Sequence, residues 1–136
     1  MKELETIAIE ILPADEARDA IPALADVLAD CVENGASVGF MGWNTQADYE
    51  AFWAGVATDV EAGRTILFVA RQGGAIVGTA QLQLIGKPNQ PHRAEIAKVL
   101  VHSRARRQGL GEALMRATEA AARAAGRTLL VLDTDA

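Results

Sequence analysis

The sequence predicts a single α/β domain over 1–136, built on a mixed sheet with its elements in the order β-α-α-β-β-β-α-β. Short apolar segments bounded by Gly and Pro are typical of strands, and three longer segments repeat apolar residues at helical spacing. The 136 residues, half of them apolar, suffice for one hydrophobic core. The predicted strands and helices cover, in order, 6–12, 15–34, 45–63, 65–71, 75–85, 93–101, 109–125 and 128–133.

Local signals fix several of these boundaries. Asp15 is placed to cap the first helix, and Pro22 predicts that this helix kinks or restarts. Thr45 and Asp48 have the spacing of a capping box at the start of the second helix. Residues 86–92 are predicted to form a loop, and the apolar segment 128–133 suits a strand at the centre of a sheet covered on both faces.

Composition narrows the class of protein. Cys31 is the only cysteine, which excludes an internal disulfide and favours a reducing cytoplasm. We predict it to be a small buried residue on a helix. No apolar stretch is long enough to span a bilayer, and the first residues show no signal-peptide pattern. We therefore expect a cytoplasmic protein with no membrane partner and no metal.

Positive charge is concentrated in one segment of an acidic chain. The formal net charge is −5, yet residues 102–127 hold six arginines and only two glutamates. Arg104, Arg106 and Arg107 precede the last helix and have no carboxylate within sequence reach. This distribution favours a confined anionic ligand over a nucleic-acid partner.

The stretch RARRQGLG, residues 104–111, has the features of an anion site. The start of a helix offers unpaired N–H groups and the positive end of the helix dipole. Gly109 and Gly111 leave those N–H groups open to a ligand, and arginine side chains match phosphate oxygens. We therefore predict a phosphate-binding loop.

Three known phosphate-binding loops can be compared with this stretch. A Walker A loop requires Gly-Lys-Ser/Thr, which is absent. The dinucleotide fingerprint requires a small residue where Leu114 stands, and it follows a first strand. The remaining pattern, Arg/Gln-x-x-Gly-x-Gly/Ala after a strand, is met by RRQGLG, residues 106–111. This form resembles the pyrophosphate loop of the GNAT superfamily of N-acetyltransferases, which bind acetyl-coenzyme A.

The resemblance covers more than this loop. LVHSRARRQGLGEALM resembles the superfamily's whole strand-loop-helix motif, and the predicted element order matches the acyl-CoA N-acyltransferase fold through its fifth strand. Together with HRAEIAKV and LLVLDT, it looks most like the branch that includes the tabtoxin-resistance acetyltransferases. The fold ordinarily continues with a helix and two strands, so the resemblance implies a domain truncated after the fifth strand. The open sheet edge favours pairing or strand exchange between two copies.

The resemblance implies a place for the cofactor. The fourth and fifth strands would splay apart, with pantetheine hydrogen-bonded along the fourth strand and the pyrophosphate on the loop. A strand N–H near Leu100 would polarise the acetyl carbonyl. The residues implied in acetyl-CoA binding are Val99, Leu100, Val101, Arg106, Arg107, Gln108, Gly109, Leu110, Gly111 and Glu112.

An acetyltransferase that uses direct attack needs a base, because an alkylammonium has a pKa of roughly 10. Strand alternation places Glu95 near the start of the fourth strand, on one face with Ala97, Val99 and Val101. We predict Glu95 as general base, acting through a water. The alternative is a solvated carboxylate at a strand end.

Other candidate residues have weaker support. The branch pattern offers Asp133 as a second catalytic residue, but a six-residue strand spans roughly 20 Å, which would separate it from Glu95. The tyrosine that usually protonates the leaving thiolate is missing. Tyr49, the only tyrosine, is expected to be an exposed or half-packed helix residue. His92 and Arg93 either orient substrate or have no role.

The loop GASVGFMGWN, residues 35–44, would form one wall of the acceptor pocket. The residues implied there are Gly35, Ser37, Phe40, Met41 and Trp43. The alternative for the aromatic residues is that they fill the core. The expected function is acetyl transfer to the primary amine of a small molecule, and the alternative is a non-catalytic acyl-CoA-binding or regulatory module.

Overall fold

The computed structural model describes residues 7–34, 45–87, 90–106 and 108–131. The elements are β1 (Ile7–Leu12), α1 (Ala14–Asp19), α2 (Ile21–Glu33), α3 (Gln46–Glu61), β2 (Thr65–Gln72), β3 (Ala75–Lys87), β4 (Gln90–Val101), a 3-10 turn (Ser103–Ala105), α4 (Leu110–Ala124) and β5 (Thr128–Val131). This order confirms the predicted fold class, with the first predicted helix divided in two. None of the helices in these ranges is long and apolar enough to cross a membrane.

The helix boundaries follow mostly from local chemistry. Pro22 lies in the first turn of α2, where its missing N–H costs nothing, so the helix restarts there. The Thr45 side chain accepts from the Asp48 N–H while the Asp48 carboxylate accepts from the Thr45 N–H, which confirms the capping box. Asp15 is not a cap, because α1 begins one residue earlier, at Ala14. Its carboxylate lies in the first turn, where the helix dipole favours a negative charge.

The sheet has five strands in the order β1-β2-β3-β4-β5. The first four strands pair as antiparallel neighbours, and β5 runs parallel to β4. The turn between β2 and β3 lies at Gly73 and Gly74, both with positive φ, as predicted. In this described sheet β5 is an outer strand rather than a central one. An apolar segment indicates covered faces, and it does not specify strands on both edges.

The predicted loop over 86–92 is mostly strand. β3 extends to Lys87 and β4 begins at Gln90, and these two residues pair with each other. Pro91 lies in an irregular part of the β3–β4 pairing, between the pairs Lys87–Gln90 and Ile85–Arg93. A proline in a strand is acceptable where its missing N–H would not serve a ladder hydrogen bond.

Helices cover both faces of the sheet. On one face, α1, α2 and α3 pack over a core that includes Leu24, Leu28, Trp53, Leu67 and Leu100. On the other face, α4 packs over a second core that includes Phe68, Leu82, Ile96, Val99 and Leu114. We call these the three-helix face and the α4 face.

A bulge in β4 interrupts the alternation between the two faces. Gln81 pairs with Ala97 and Thr79 pairs with Leu100, so Lys98 and Val99 together stand opposite Ala80. After this extra residue the strand's face parity reverses. Val99 packs into the α4 core with Ile96, whereas Leu100 joins the three-helix core.

Candidate active site

The glycines after β4 shape the start of α4. Gly109 is the N-cap of α4, in the left-handed conformation with φ of 73°, and no side chain caps this helix. A Cβ at Gly111 would meet only the Val101 side chain, at 3.9 Å, which is ordinary contact. The first N–H groups of α4 therefore have no intrahelical partner and no side-chain cap, which is the arrangement that binds anions. Glu112 in this first turn is ion-paired with Arg116, as its i,i+4 spacing favours.

The turn before the loop is fastened to α2 by Asp30. The Asp30 carboxylate accepts from the Ser103 N–H and from the Ser103 hydroxyl, each at 2.7 Å. Burial opposes ionisation of Asp30, but the two Ser103 hydrogen bonds and the nearby His102 and Arg106 outweigh it, and the pKa of Asp30 is lowered. An ionised Asp30 thus fixes the backbone that leads into the glycines.

The three-helix face also supplies carboxylates to the basic segment. An oxygen of Asp26 lies 3.3 Å from His102 Nε2 and 3.7 Å from Arg104 Nη1. The Arg104 guanidinium also donates to the carbonyl of Ile76, and His102 Nδ1 accepts from the Arg104 N–H. Arg104 therefore has a carboxylate partner that is distant in sequence but near in space, and its contacts hold the turn in place.

Two side chains approach the carbonyl of Val101 at the end of β4. Arg106 Nε donates to it at 3.2 Å, and the Cys31 thiol approaches it at 3.5 Å. Cys31 is buried on α2, as predicted, and burial raises the pKa of its thiol although Arg106 opposes that shift. Gln108, next to the glycines, accepts from the Gln72 side chain at the β2–β3 turn. Arg107 lies outside the described residues.

The direction of the β4 amides corrects one expectation. The His102 N–H donates to the Val77 carbonyl on β3, and amide direction alternates along an extended strand. The Leu100 N–H therefore points to β3 as well and is not available to a ligand on the other side. The Val101 carbonyl faces away from β3, since it accepts from Arg106 and is approached by the Cys31 thiol, whereas Val99 lies in the bulge, where the regular alternation is interrupted.

Glu95 occupies the middle of β4, not its start, because the strand begins at Gln90. The bulge keeps Ala97 on its face but transfers Val99 and Val101 to the α4 face, so that part of the predicted grouping is wrong. The Glu95 side chain is 18% exposed, and one of its oxygens lies 3.6 Å from an Arg93 guanidinium nitrogen. Glu95 is thus a half-buried carboxylate with a cationic neighbour, not a solvated strand end.

Two glutamines on β3 share this face with Glu95. Gln83 stands directly opposite Glu95 in the register, and Gln81 stands opposite Ala97. Gln81 is 3% exposed. Sequence reasoning missed both, since TAQLQLI shows only a polar alternation within a strand. The sequence did contain a signal for them: two glutamines at positions i and i+2 of an apolar strand lie on the same face of the sheet.

The remaining predicted residues divide into two groups. Tyr49 is buried in the three-helix core at 5% exposure, so the expectation of an exposed or half-packed residue is wrong. Its neighbours on α3, including Trp53, explain the burial. The residues that lie outside the described ranges are Gly35, Ser37, Phe40, Met41, Trp43 and Asp133. The predicted separation of β4 and β5 lies partly outside the described residues as well, because the described pairing of these strands ends at Ile96 and Val131.

The family model described as "Acetyltransferase (GNAT) family" matches residues 21–136. An uncharacterized N-acetyltransferase from the hisH-hisA intergenic region of Azospirillum brasilense is 37% identical over 112 residues, which cover 81% of this chain and 65% of the relative. The matched part of the chain thus spans less than two thirds of that relative's length.

Solved structures share the fold. A GCN5-related N-acetyltransferase from Ralstonia eutropha has a TM-score of 0.68 at 20% identity, over 96% of this chain and 85% of the other. A predicted acetyltransferase from Clostridium acetobutylicum, crystallised with acetyl-CoA, has a TM-score of 0.69 at 8% identity, over 96% and 82%. These likenesses agree with the strand order, and the match of the family model over 21–136 shows the family: the chain belongs to the GNAT acetyltransferases.

Proposed function

We propose that this protein transfers the acetyl group of acetyl-CoA to the primary amine of a small molecule, with Glu95 as general base. The observation that supports it most is the half-buried Glu95 carboxylate on the strand that leads into the glycine loop. The two features lie on one strand, so a cofactor held at the loop could extend toward Glu95. The resemblance to the tabtoxin-resistance branch stays a prediction.

The cofactor would lie along the β5 side of β4. The pyrophosphate would accept from the N–H groups at the start of α4, near Gly109, Leu110 and Gly111, with Arg106 and Arg107 adding charge. The pantetheine arm would hydrogen-bond to the peptide groups of Val99 and Val101 as an added strand does. In this arrangement the Val99 N–H, rather than that of Leu100, would polarise the acetyl carbonyl.

The chemistry would be direct attack. The acceptor arrives as an ammonium ion, and Glu95 takes its proton so that the nitrogen lone pair can attack the thioester carbon. The carbon–sulfur bond then breaks, the second proton of the attacking nitrogen passes to the departing thiolate, and coenzyme A leaves as the thiol. A thiol has a pKa of roughly 8.5, so a thiolate leaves with little help, and this step does not depend on a tyrosine acid. Asp133 and the loop 35–44 stay as proposed contributors on the acceptor side.

Two measurements test this function. Calorimetric titration with acetyl-CoA should show one site, and thiol release should be detected with at least one member of a panel of small primary amines. Glu95→Gln should lower kcat by about 100-fold or more while leaving the acetyl-CoA affinity unchanged. Glu61→Gln, at an exposed ion pair with Arg18, is the matched control and should behave as wild type.

The outcomes separate the alternatives. No binding at millimolar acetyl-CoA would exclude both the transferase and the acyl-CoA-binding module. Binding without turnover for any amine would favour the module. Full turnover by Glu95→Gln would show that another group is the base.

A further inference from the structure

We propose that Gln81 is a positioning residue that holds a water molecule against Glu95, and that the acceptor's proton passes to Glu95 through this water. The inference rests on the proposed function, in which Glu95 is the base. It goes further by naming the group that fixes the relay and the hydrogen bonds that the relay uses.

Burial of an unpartnered donor carries the inference. Gln81 is 3% exposed, and its Nε2 has no hydrogen-bond partner among the described residues. Its Oε1 accepts from Gln83 Nε2 at 3.4 Å. A buried amide nitrogen without a partner costs about 1–3 kcal/mol, and in native proteins such groups are usually met by an ordered water.

The register places this donor near Glu95. The contact with Gln83 shows that the Gln81 amide is directed along β3 toward the level of Gln83, which is the residue opposite Glu95. Gln81 and Glu95 are therefore diagonal neighbours on one face, with Cβ atoms about 7 Å apart. That separation allows one water to contact both side chains.

The hydrogen-bond capacity of a water fits this position. One lone pair accepts from Gln81 Nε2, and one O–H donates to the Glu95 carboxylate. The second lone pair is left to accept the acceptor's ammonium proton. As the ammonium N–H breaks, the water gains that proton and gives its own to Glu95. The products are a neutral amine, a water and a protonated carboxyl.

The other buried unpartnered donor offers a contrast. Trp53 Nε1 also lacks a partner among the described residues, but the ring lies in the three-helix core against Phe52, edge to face. A bound water needs two to four polar partners. Gln81 has Glu95 and Gln83 nearby, whereas the neighbours of Trp53 in the core are apolar.

A crystal structure of the whole chain tests the water without reference to activity. We expect ordered water within hydrogen-bond distance of both Gln81 Nε2 and a Glu95 oxygen. In Gln81→Met, which keeps the length of the side chain, that water should be absent. A wild-type site without the water, or Gln81 Nε2 bonded to another protein group, would overturn the inference even in a fully active enzyme.

Kinetics test the relay. Gln81→Met should lower kcat about tenfold and leave the acetyl-CoA affinity unchanged. The loss is smaller than the roughly 10²–10⁴-fold rate enhancement that a general base contributes, because Glu95 itself is kept. In a Glu95→Gln background it should cause no further loss, since the two residues act on one proton. Equal losses in both backgrounds would overturn the relay.

A second variant protects the test against a folding artefact. Gln81→Glu keeps the shape of the side chain but places a second carboxylate beside Glu95, so we expect the acidic limb of the kcat profile to move to higher pH. Trp53→Phe is the structural control, expected to lower the melting temperature without moving that limb. An unmoved limb in Gln81→Glu contradicts the proposal. If the wild type shows the water but acetylates no amine, the proposed function fails and the water site stands.

Discussion

On the α4 face of the sheet, the buried side chains among the described residues are apolar except for Thr118, whose hydroxyl donates to the Met115 carbonyl of its own helix at 2.7 Å. On the three-helix face, Gln81 and Glu95 lie among apolar residues, and Gln81 keeps a donor without a partner among the described residues. Among the described residues, the buried polar group on the α4 face is thus satisfied within its own helix, whereas two buried donors on the three-helix face, Gln81 Nε2 and Trp53 Nε1, are left without a partner.

This difference indicates that the α4 face contributes mainly to stability, whereas the polar residues of the three-helix face contribute to the proposed chemistry. A core whose polar groups are hydrogen-bonded avoids the cost of an unpaired donor or acceptor, so the α4 face serves to hold the helix whose first turn carries the glycines. Buried polar groups without partners destabilise the fold, and they are retained where a ligand or a water completes them. At Gln81 and Glu95, substitutions should therefore change catalysis more than stability.

The largest expected effect on stability lies on the α4 face. Leu114 is fully buried, and Leu114→Ala should lower the free energy of unfolding by about 3 kcal/mol, because the removed methyl groups leave a cavity. Urea unfolding measures the loss. Below its melting temperature the variant should keep the wild-type pH profile of kcat. A shifted profile, like that expected of Gln81→Glu, would break the division between the faces.

The two glycines at the start of α4 should respond differently to the same change. Gly109→Ala must adopt a φ of 73°, which costs about 1–2 kcal/mol, and a distorted turn should weaken acetyl-CoA binding. Gly111 is already helical with only a 3.9 Å contact for a new Cβ, so Gly111→Ala should raise stability by up to about 1 kcal/mol and keep binding. Thermal unfolding and calorimetric titration measure both. Equal losses of affinity would show that the φ of Gly109 is not the requirement.

A smaller effect is expected where α2 meets the loop. The lowered pKa of Asp30 means that its stabilisation is present above the ordinary value of 3.8 and is lost as pH falls through the folded value. Asp30→Asn should therefore reduce stability by about 1 kcal/mol at neutral pH, and the gap to wild type should narrow near about pH 3. Urea unfolding at both pH values measures this.

The control for that measurement is Asp59→Asn. Asp59 forms an exposed ion pair with Arg64, and such pairs contribute little, so a smaller change is expected at either pH. A gap between Asp30→Asn and wild type that stays constant down to about pH 3 would show that ionisation of Asp30 does not fasten the turn.

The sequence predicted those parts of the molecule whose signals are local. The glycine loop, the capping box at Thr45 and the turn at Gly73 and Gly74 each depend on residues a few positions apart, and all were found. The partners of Arg104 and the role of Gln81 depend on contacts between α2, β3 and β4, which no local pattern reports. Glu95 as general base, predicted from strand alternation and the resemblance, stays a prediction, and the predicted grouping around it was wrong beyond Ala97 because a single extra residue is invisible in an apolar segment.

That extra residue also has a consequence for how the protein could be altered. Lys98 lies between Glu95 and Val99, and together with Val99 it stands opposite Ala80 in the bulge. Deleting Lys98 would let β4 pair regularly, with Val99 alone opposite Ala80, and the pairs Glu95–Gln83 and Leu100–Thr79 would stay as they are. The faces of Glu95, Val99 and Leu100 would therefore be kept, and the deletion would remove only the local twist that a bulge adds. A deletion in the regular part of β4 would instead turn every residue on one side of it to the opposite face of the sheet.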